Sequence, residues 1–398
     1  MTSHAPDLVL DERVFIQRAT DLLPALIERS AQTEENRQLS PETVADLHDA
    51  GFFKLIQPKR WGGHEVHPNT WFDVCAEVAK GCPSTAWVLG VIGVHNWQLG
   101  LFPEKTQNEV WGADPTVLIS SSYMPAGKVT RADGGYEFSG RWGFSSGCDL
   151  CEWAFLGGFI PPTEAGGPPD MRTFLVPRKD YRIEDTWFVS GLKGTGSKDI
   201  VIDKCFVPEH RTHKMSDGFR QVSPGHSIND GPLFKLPFGQ IFTRTVGTPA
   251  LGMAQGALEA YCEVTRARVG RADGARVIAD PTSTEVAARA ALLIDEVRTL
   301  LHRDYDEMMA TIEAGETIPI RKRVGYRMNS ANATEKCVAA VDDLFTTSGG
   351  GAIFLSNRLN QFWRDIHAAR AHYANNPTKS ARNYGGVLMD QKTTDFFI

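Results

Sequence analysis

The chain changes its hydrophobic periodicity twice, and those two changes limit its fold more than any single motif. Up to about residue 115 apolar residues recur at helical spacing, and Val14, Ala19, Leu22, Leu23, Leu26 and Ile27 define one face of a first helix. Ser40-Pro41-Glu42 carries the serine cap and first-turn proline of a second helix, which Gly51 is placed to end. A third helix is expected from Thr70 to Lys80 and a fourth, buried, from Ala86 to Phe102. From Thr116 to about Val207 the pattern becomes short β-prone runs, such as Val117-Leu118-Ile119, Trp153-Ala154-Phe155-Leu156, Thr173-Phe174-Leu175-Val176 and Ile200-Val201-Ile202. Asp133-Gly134-Gly135 reads as a hairpin turn and Ala165–Pro169 as a surface loop. Helical periodicity returns after about Gly225. Thr284 to Ala314 holds the seam Val286, Ala290, Leu293, Val297, Leu300, Leu301, Met308 and Ile312, about 45 Å of bundle helix at about 1.5 Å per residue. Two more helices are expected near Arg321–Thr346 and Arg358–Tyr373. The expected architecture is α with an inserted β domain: a helical domain over 1–115, a mostly antiparallel β domain over 116–225 and a helical bundle over 226–398.

At 398 residues with 42% hydrophobic content the chain can bury a large core. A net charge of −6 with dispersed Lys and Arg argues against a nucleic-acid partner. Seven cysteines in a chain this long imply free thiols in a reducing, cytoplasmic setting rather than a disulfide framework. Met1 to Asp7 has neither the basic head nor the apolar run of a signal peptide. His95, Asn96 and Gln98 interrupt the most apolar segment, so no membrane span is expected.

No Gly-x-Gly-x-x-Gly follows a strand and opens a helix, so no dinucleotide site is expected. Gly194-Thr195-Gly196-Ser197-Lys198 lacks the spacing of a phosphate loop and is assigned to architecture, as a tight turn into a strand over Asp199–Val207. Cys148-Asp149-Leu150-Cys151 has metal spacing but no second ligand pair, so it reads as two buried thiols on a strand and no metal is expected. Gly140-Arg141-Trp142-Gly143-Phe144-Ser145-Ser146-Gly147 is, on its own, a serine-rich turn between strands. Arg268, close to Arg266, Arg271 and Arg276, is equally a solvated arginine or an anion contact. Trp87, His95, Asn96 and Trp97 on the fourth helix are candidates either for a substrate pocket or for aromatic core packing.

The stretch Phe362-Trp363-Arg364-Asp365-Ile366-His367-Ala368-Ala369-Arg370-Ala371-His372-Tyr373 resembles the last long helix of the acyl-CoA dehydrogenase fold. In the dehydrogenases an Arg-Asp pair precedes the catalytic glutamate by about two turns; here no acid lies between Asp365 and Asp390. With Trp61-Gly62-Gly63, Gly93-Val94-His95-Asn96-Trp97, Ser120 to Tyr123, Ser145 to Asp149 and Gly191 to Ser197, the chain resembles the oxygenase components of two-component flavin-dependent aromatic monooxygenases over nearly its whole length. Within that group it most resembles the oxygenases that hydroxylate the phenolic A-ring of 3-hydroxy-9,10-seco-steroids.

The resemblance implies a reduced FMN, or FAD, supplied by a separate NAD(P)H-dependent flavin reductase, and hydroxylation of a phenol ortho to its hydroxyl through a flavin-4a-hydroperoxide. It places Ser121, Ser122, Ser145 and Ser146 against the flavin, with Ser145 at the position of the dehydrogenase threonine. Arg268 and the turn at Gly349-Gly350 would meet the flavin of a neighbouring subunit, and the family's usual form is a homotetramer. His372 is expected as the base that takes or shares the phenolic proton, imidazole having a suitable pKa range, and Tyr373 and Asn376 line the substrate beside it. Asn376 departs from the steroid enzymes, which carry an aspartate there, and an amide cannot neutralise an imidazolium. The alternatives are a same-fold oxygenase acting on indole or another heteroaromatic, an acyl-CoA dehydrogenase with a relocated base, and a flavin-binding scaffold.

Overall fold

The computed structural model describes residues 11–162, 170–269, 274 and 276–398; Met1–Asp7, the Ala165–Pro169 loop and Arg271 lie outside them. Five helices open the chain: α1 (Arg13–Asn36), α2 (Pro41–Asp49), α3 (Pro68–Gly81), α4 (Pro83–Leu99) and α5 (Glu104–Trp111). Seven strands follow: β1 (Ile119–Ala132), β2 (Gly135–Ser145), β3 (Trp153–Ile160), β4 (Asp170–Pro177), β5 (Arg182–Glu184), β6 (Lys198–Pro208) and β7 (Thr212–Lys214). Then come α6 (Met215–Arg220), α7 (Phe238–Ala267), α8 (Pro281–Glu313), α9 (Ile320–Thr347), α10 (Arg358–Arg370) and α11 (Pro377–Leu388).

Local chemistry sets several boundaries where they were expected. Ser40 Oγ accepts from the Thr43 amide at 3.2 Å, Pro41 occupies the first turn of α2, and Gly51 just beyond it takes φ +79°. Pro83 starts α4 one turn earlier than hydropathy implied, and every residue of that helix except Val91 is buried. On α1 the buried line is Phe15, Ala19 and Leu26, continuing to Ser30 and Thr33, whereas Val14 and Ile27 flank it at 39% exposure. The bundle helix α8 buries Ala290, Val297, Leu301, Met308 and Ile312 of the expected seam.

The sheet runs β5-β6-β2-β1-β3-β4-β7, antiparallel except for the β1/β3 pair. Neighbouring strands lie about 4.8 Å apart, so a flat sheet would separate β2 from β4 by about 14 Å. Phe138 of β2 nevertheless stacks on Phe174 of β4 with ring centroids 4.3 Å apart. The sheet is therefore curled around its own core, which includes Val129, Tyr136, Trp142, Leu156 and Ile202. Of the two cysteines expected on a strand, Cys148 opens a 3-10 turn that Gly147 (φ +65°) leads into, and Cys151 follows that turn; both are buried, and burial next to Asp149 pushes the Cys148 thiol up to about 12.

A larger core joins the N-terminal helices to the C-terminal bundle, with α7 at its centre against α3, α4, α8, α9 and α10. From the sequence this helix is expected to begin around Thr248; it runs through Pro249 from Phe238, ten residues earlier, because the whole stretch from Phe238 to Ala254 is buried. Gly252 and Gly256, one turn apart, let neighbours approach: a Cβ at Gly252 would sit 2.0 Å from the Ala76 carbonyl oxygen, and one at Gly256 2.4 Å from the Phe362 ring. Among the described residues no helix is long and apolar enough to cross a membrane.

Arg364 and Asp365 fasten the bundle to the rest. Arg364 grips Glu34 of α1 in a two-pronged pair at 2.9 and 3.0 Å and donates to the Ser190 carbonyl at 2.8 Å. Asp365 Oδ1 accepts from the Leu192 amide at 2.6 Å, holding a non-glycine residue at φ +51°. The Asp365 carboxyl is fully buried, and burial, then Glu34, push its pKa up to about 7.

Two stability predictions follow from these contacts. Gly252→Ala should lower the unfolding free energy by about 1–3 kcal/mol through overpacking, outweighing alanine's helix preference of about 1 kcal/mol. Gly325→Ala, whose nearest neighbour atom is 3.7 Å from the new Cβ, should not, and urea unfolding of both variants measures the contrast. An aspartate at about 3.8 unfolded and about 7 folded binds its proton more tightly in the native state, so it erodes stability as pH rises through that window. Asp365→Asn should gain on the wild type across the same window and hold a constant difference above it.

Candidate functional site

Strand β2 ends in a bulge at which Phe144 takes φ +64°, and Ser145 and Ser146 follow. Ser146 Oγ is tied into a chain whose polarity can be worked out. Thr195 Oγ1 donates to the Leu192 carbonyl at 2.9 Å, since a carbonyl only accepts. Ser197, 2.7 Å from Thr195, must then donate to it, and Ser146, 2.7 Å from Ser197, must donate in turn. Trp87 Nε1–H of α4 donates to Ser146 at 3.1 Å. Ser146 is left with one lone pair and no proton, so a further ligand at this hydroxyl has to be a donor. The Gly194–Lys198 segment, expected to be architectural only, thus sets the polarity of a site serine.

Around it other serines lack partners. The hydroxyls of Ser120 and Ser145 are buried and bond to nothing among the described residues, whereas Ser122 donates to the Gly143 carbonyl at 2.8 Å and Ser121 is partly buried. Unsatisfied buried hydroxyls of this kind call for a ligand. A reduced flavin would fit these residues, its N5–H as a donor toward Ser146 and the polar edges of its ring as partners for the others.

His372 does not lie on α10, which ends at Arg370 and a turn of hydrogen bonds from Ala371 and His372; it caps the 3-10 turn beyond. Its Nδ1 accepts from the Ala374 amide at 3.2 Å, so the neutral ring carries its proton on Nε2. Burial, then the charge of Arg327, lower its pKa to about 4. The expected base is therefore a neutral hydrogen-bond donor at Nε2. His95 has the opposite polarity: Nδ1 donates to the Ile119 carbonyl at 2.5 Å, Nε2 is a buried lone pair with no partner among the described residues, and burial lowers its pKa to about 4.

Aromatic rings join these groups. His372 lies 5.9 Å from Trp87, 6.2 Å from Phe242 and 4.8 Å from Tyr373. Tyr123 lies 4.9 Å from Phe242, 5.7 Å from Phe238 and 6.1 Å from His95, and its hydroxyl donates to Gln98 Oε1. Phe397 closes the ring of contacts against Phe238 and Tyr373. Phe238, Phe242 and Phe397 carried no sequence signal, being single aromatics in apolar segments far apart in the chain.

Other expected residues have different work. Asn96 Nδ2 donates to the Phe53 carbonyl at 2.6 Å and Trp97 Nε1 to the Leu233 carbonyl at 2.9 Å, both within the core. Asn376 Oδ1 caps α11 through the Thr378 amide at 2.9 Å. His367 is drawn to Asp342 at 2.9 Å. Arg268 ends α7 and donates to the Ser348 carbonyl, and a Cβ at Gly349 would meet Arg268 Nη2 at 2.7 Å, so these two distant expectations lie together. Gly350 is exposed with open space around it. Among the described residues no hydrogen bond or ring contact joins the Arg268–Gly349 pair to the Ser146–His372 group.

Comparison with known proteins agrees with this geometry. Residues 11–113 match the acyl-CoA dehydrogenase N-terminal domain and residues 244–377 the acyl-CoA dehydrogenase C-terminal domain. The chain is 40% identical to the flavin-dependent monooxygenase, oxygenase subunit HsaA, of Rhodococcus jostii (strain RHA1), over 96% of this chain and 100% of that one. It is 34% identical to the FADH(2)-dependent resorcinol hydroxylase, oxygenase component, of Rhizobium sp. (strain MTP-10005), over 87% and 86% of the two chains. The crystal structure of 3-HSA hydroxylase from Rhodococcus sp. RHA1 superposes with a TM-score of 0.92 at 40% identity, over 96% of this chain and 98% of that one. The chain belongs to the oxygenase subunits of flavin-dependent monooxygenases, built on the acyl-CoA dehydrogenase fold.

Proposed function

We propose that this enzyme hydroxylates a phenolic ring ortho to its hydroxyl, using reduced FMN or FAD delivered by a separate NAD(P)H-dependent flavin reductase. One observation carries the reading: Ser146 of the sheet, Trp87 of α4 and His372 beyond α10 form one hydrogen-bonded and ring-contact group beside an aromatic shell. Ser146 would accept from the flavin N5–H, with the Ser145 hydroxyl and the Ser120–Ser122 segment of β1 beside the same cofactor. The bound flavin supplies two electrons and activates dioxygen. Trp87, Tyr123, Phe238 and Phe242, all buried, hold a flat substrate and keep water away from it, with the half-exposed Tyr373 at its edge. His372 Nε2–H points the substrate oxygen, and His95 Nε2 offers an acceptor across the Tyr123 ring. Both reduced FMN and FADH2 present an N5–H, and the relative that hydroxylates resorcinol is named for FADH(2).

The reading extends to a homotetramer in a cytoplasmic setting. The paired Arg268 and Gly349 stand near Ile353, Phe354 and Leu355, which are 64–70% exposed, and a second copy would cover that apolar run. All seven cysteines are free, in keeping with a reducing compartment.

The test is to load the protein anaerobically with chemically reduced FMN, and separately with FADH2, and mix it rapidly with oxygen while recording flavin absorbance. The expected result is a transient that outlives protein-free flavin, and a phenolic substrate that gains one oxygen atom. Reoxidation at the protein-free rate with release of peroxide would sink the proposal. Ser146→Ala should shorten the transient about tenfold, the worth of one hydrogen bond of about 1.4 kcal/mol.

A further inference from the structure

Two hydroxyls set the direction of the proton at Ser146, and both are buried: Thr195 is 1% exposed and Ser197 3%. The chain they form is polarised from its far end. Every group on the Leu192 carbonyl is a donor: Thr195 Oγ1 at 2.9 Å, the Thr195 amide at 3.2 Å and Trp187 Nε1 at 3.0 Å. Thr195 therefore accepts from Ser197, and Ser197 from Ser146. At the near end Trp87 Nε1–H fills one lone pair of Ser146, and an indole nitrogen only donates. The hydroxyls of Ser120 and Ser145 have no such partners among the described residues, so their protons are free to turn either way. Ser146 alone is fixed.

The N5 position of a flavin reverses its hydrogen-bonding character with redox state. Reduced, the nitrogen carries a proton and donates; oxidised, it is a bare lone pair and accepts. The first complements Ser146 as the chain leaves it. The second sets two acceptors face to face and leaves both unsatisfied. We propose that Thr195 and Ser197 are positioning residues of this oxygenase: by drawing the Ser146 proton into their chain they make the site favour reduced flavin and loosen it once oxidised. The inference rests on the reading that Ser146 meets flavin N5, and names what fixes the direction of that contact. Removing either hydroxyl undoes it. Without Ser197 the Ser146 proton has no acceptor in the chain and is free for the flavin. Without Thr195 the Ser197 proton turns to Ser146, whose own proton is freed in the same way. Thr195 acts from two links away, its hydroxyl making no bond to Ser146.

The test reads binding and not turnover. Oxidised FMN, and reduced FMN without oxygen, are titrated into the full-length wild type and into Ser197→Ala, Thr195→Val and Thr195→Ser. The wild type is expected to hold reduced FMN the more tightly. Ser197→Ala and Thr195→Val should tighten oxidised FMN and narrow the ratio of the two dissociation constants about tenfold, the worth of one hydrogen bond. The midpoint potential of the bound flavin should fall by about 30 mV with it, as a two-electron couple requires. Thr195→Ser keeps the hydroxyl and should match the wild type. Parallel weakening of both redox forms, the mark of a merely structural role, would overturn the proposal, as would a ratio that Thr195→Ser changes equally. Thr195→Val keeps the shape of the buried side chain, so it decides the matter even if Ser197→Ala fails to fold. A wild type that binds neither form sinks the hydroxylase reading as well. An unchanged ratio beside a long-lived transient on mixing with oxygen sinks this inference alone.

Discussion

The hydrogen bond from the Leu192 amide to Asp365 is the contact on which the rest of the site depends. It joins the last bundle helix to a turn beside the sheet, while the adjacent Arg364 secures the same helix to α1 through Glu34. Leu192 is held in a left-handed conformation that a leucine would not choose alone, and its carbonyl thereby becomes the terminus of the hydroxyl chain leading to Ser146. The carboxyl is buried against its own charged form. Stability is sacrificed there to keep a long-range geometry, which is how strained or desolvated groups at functional sites usually act.

The two histidines show how little a residue type says about its role. Both rings are held neutral, with pKa values near 4, yet one turns a proton and the other a lone pair toward its free side. The difference arises from a single backbone atom in each case, the Ala374 amide for His372 and the Ile119 carbonyl for His95. In the dehydrogenases of this fold a carboxylate takes a proton from carbon. Here no carboxylate lies between Asp365 and Asp390, and the residue near that point, His372, presents a donor at Nε2.

Much of the fold could be read from the residues themselves, because local chemistry decides it. Ser40 caps α2 through its own near neighbours, and the change from helical to alternating pattern marks where the sheet begins. Where local and tertiary forces disagree, local signals misled: Pro249 reads as a helix boundary, but complete burial carries α7 straight through it. The candidate site was legible in some of its members and not in its polarity. Ser146, Trp87 and His372 stand out by type and position, whereas the proton direction at Ser146 depends on Ser197, 51 residues away. Arg268 and Gly349 each read as ambiguous, and only the fold brings them together, through the bond from Arg268 to the Ser348 carbonyl 80 residues on.

The hydroxyl chain from Trp87 through Ser146, Ser197 and Thr195 to the Leu192 carbonyl contains an indole, three alcohols and an amide oxygen. None of these groups gains or loses a proton anywhere in the range where a folded protein works. The arrangement is consequently blind to acidity. Ser146 shows the same lone pair in mildly acidic and mildly alkaline solution alike, so acidity reaches this part of the molecule through Asp365, which holds Leu192 at the far end of the chain, and not through the hydroxyls themselves.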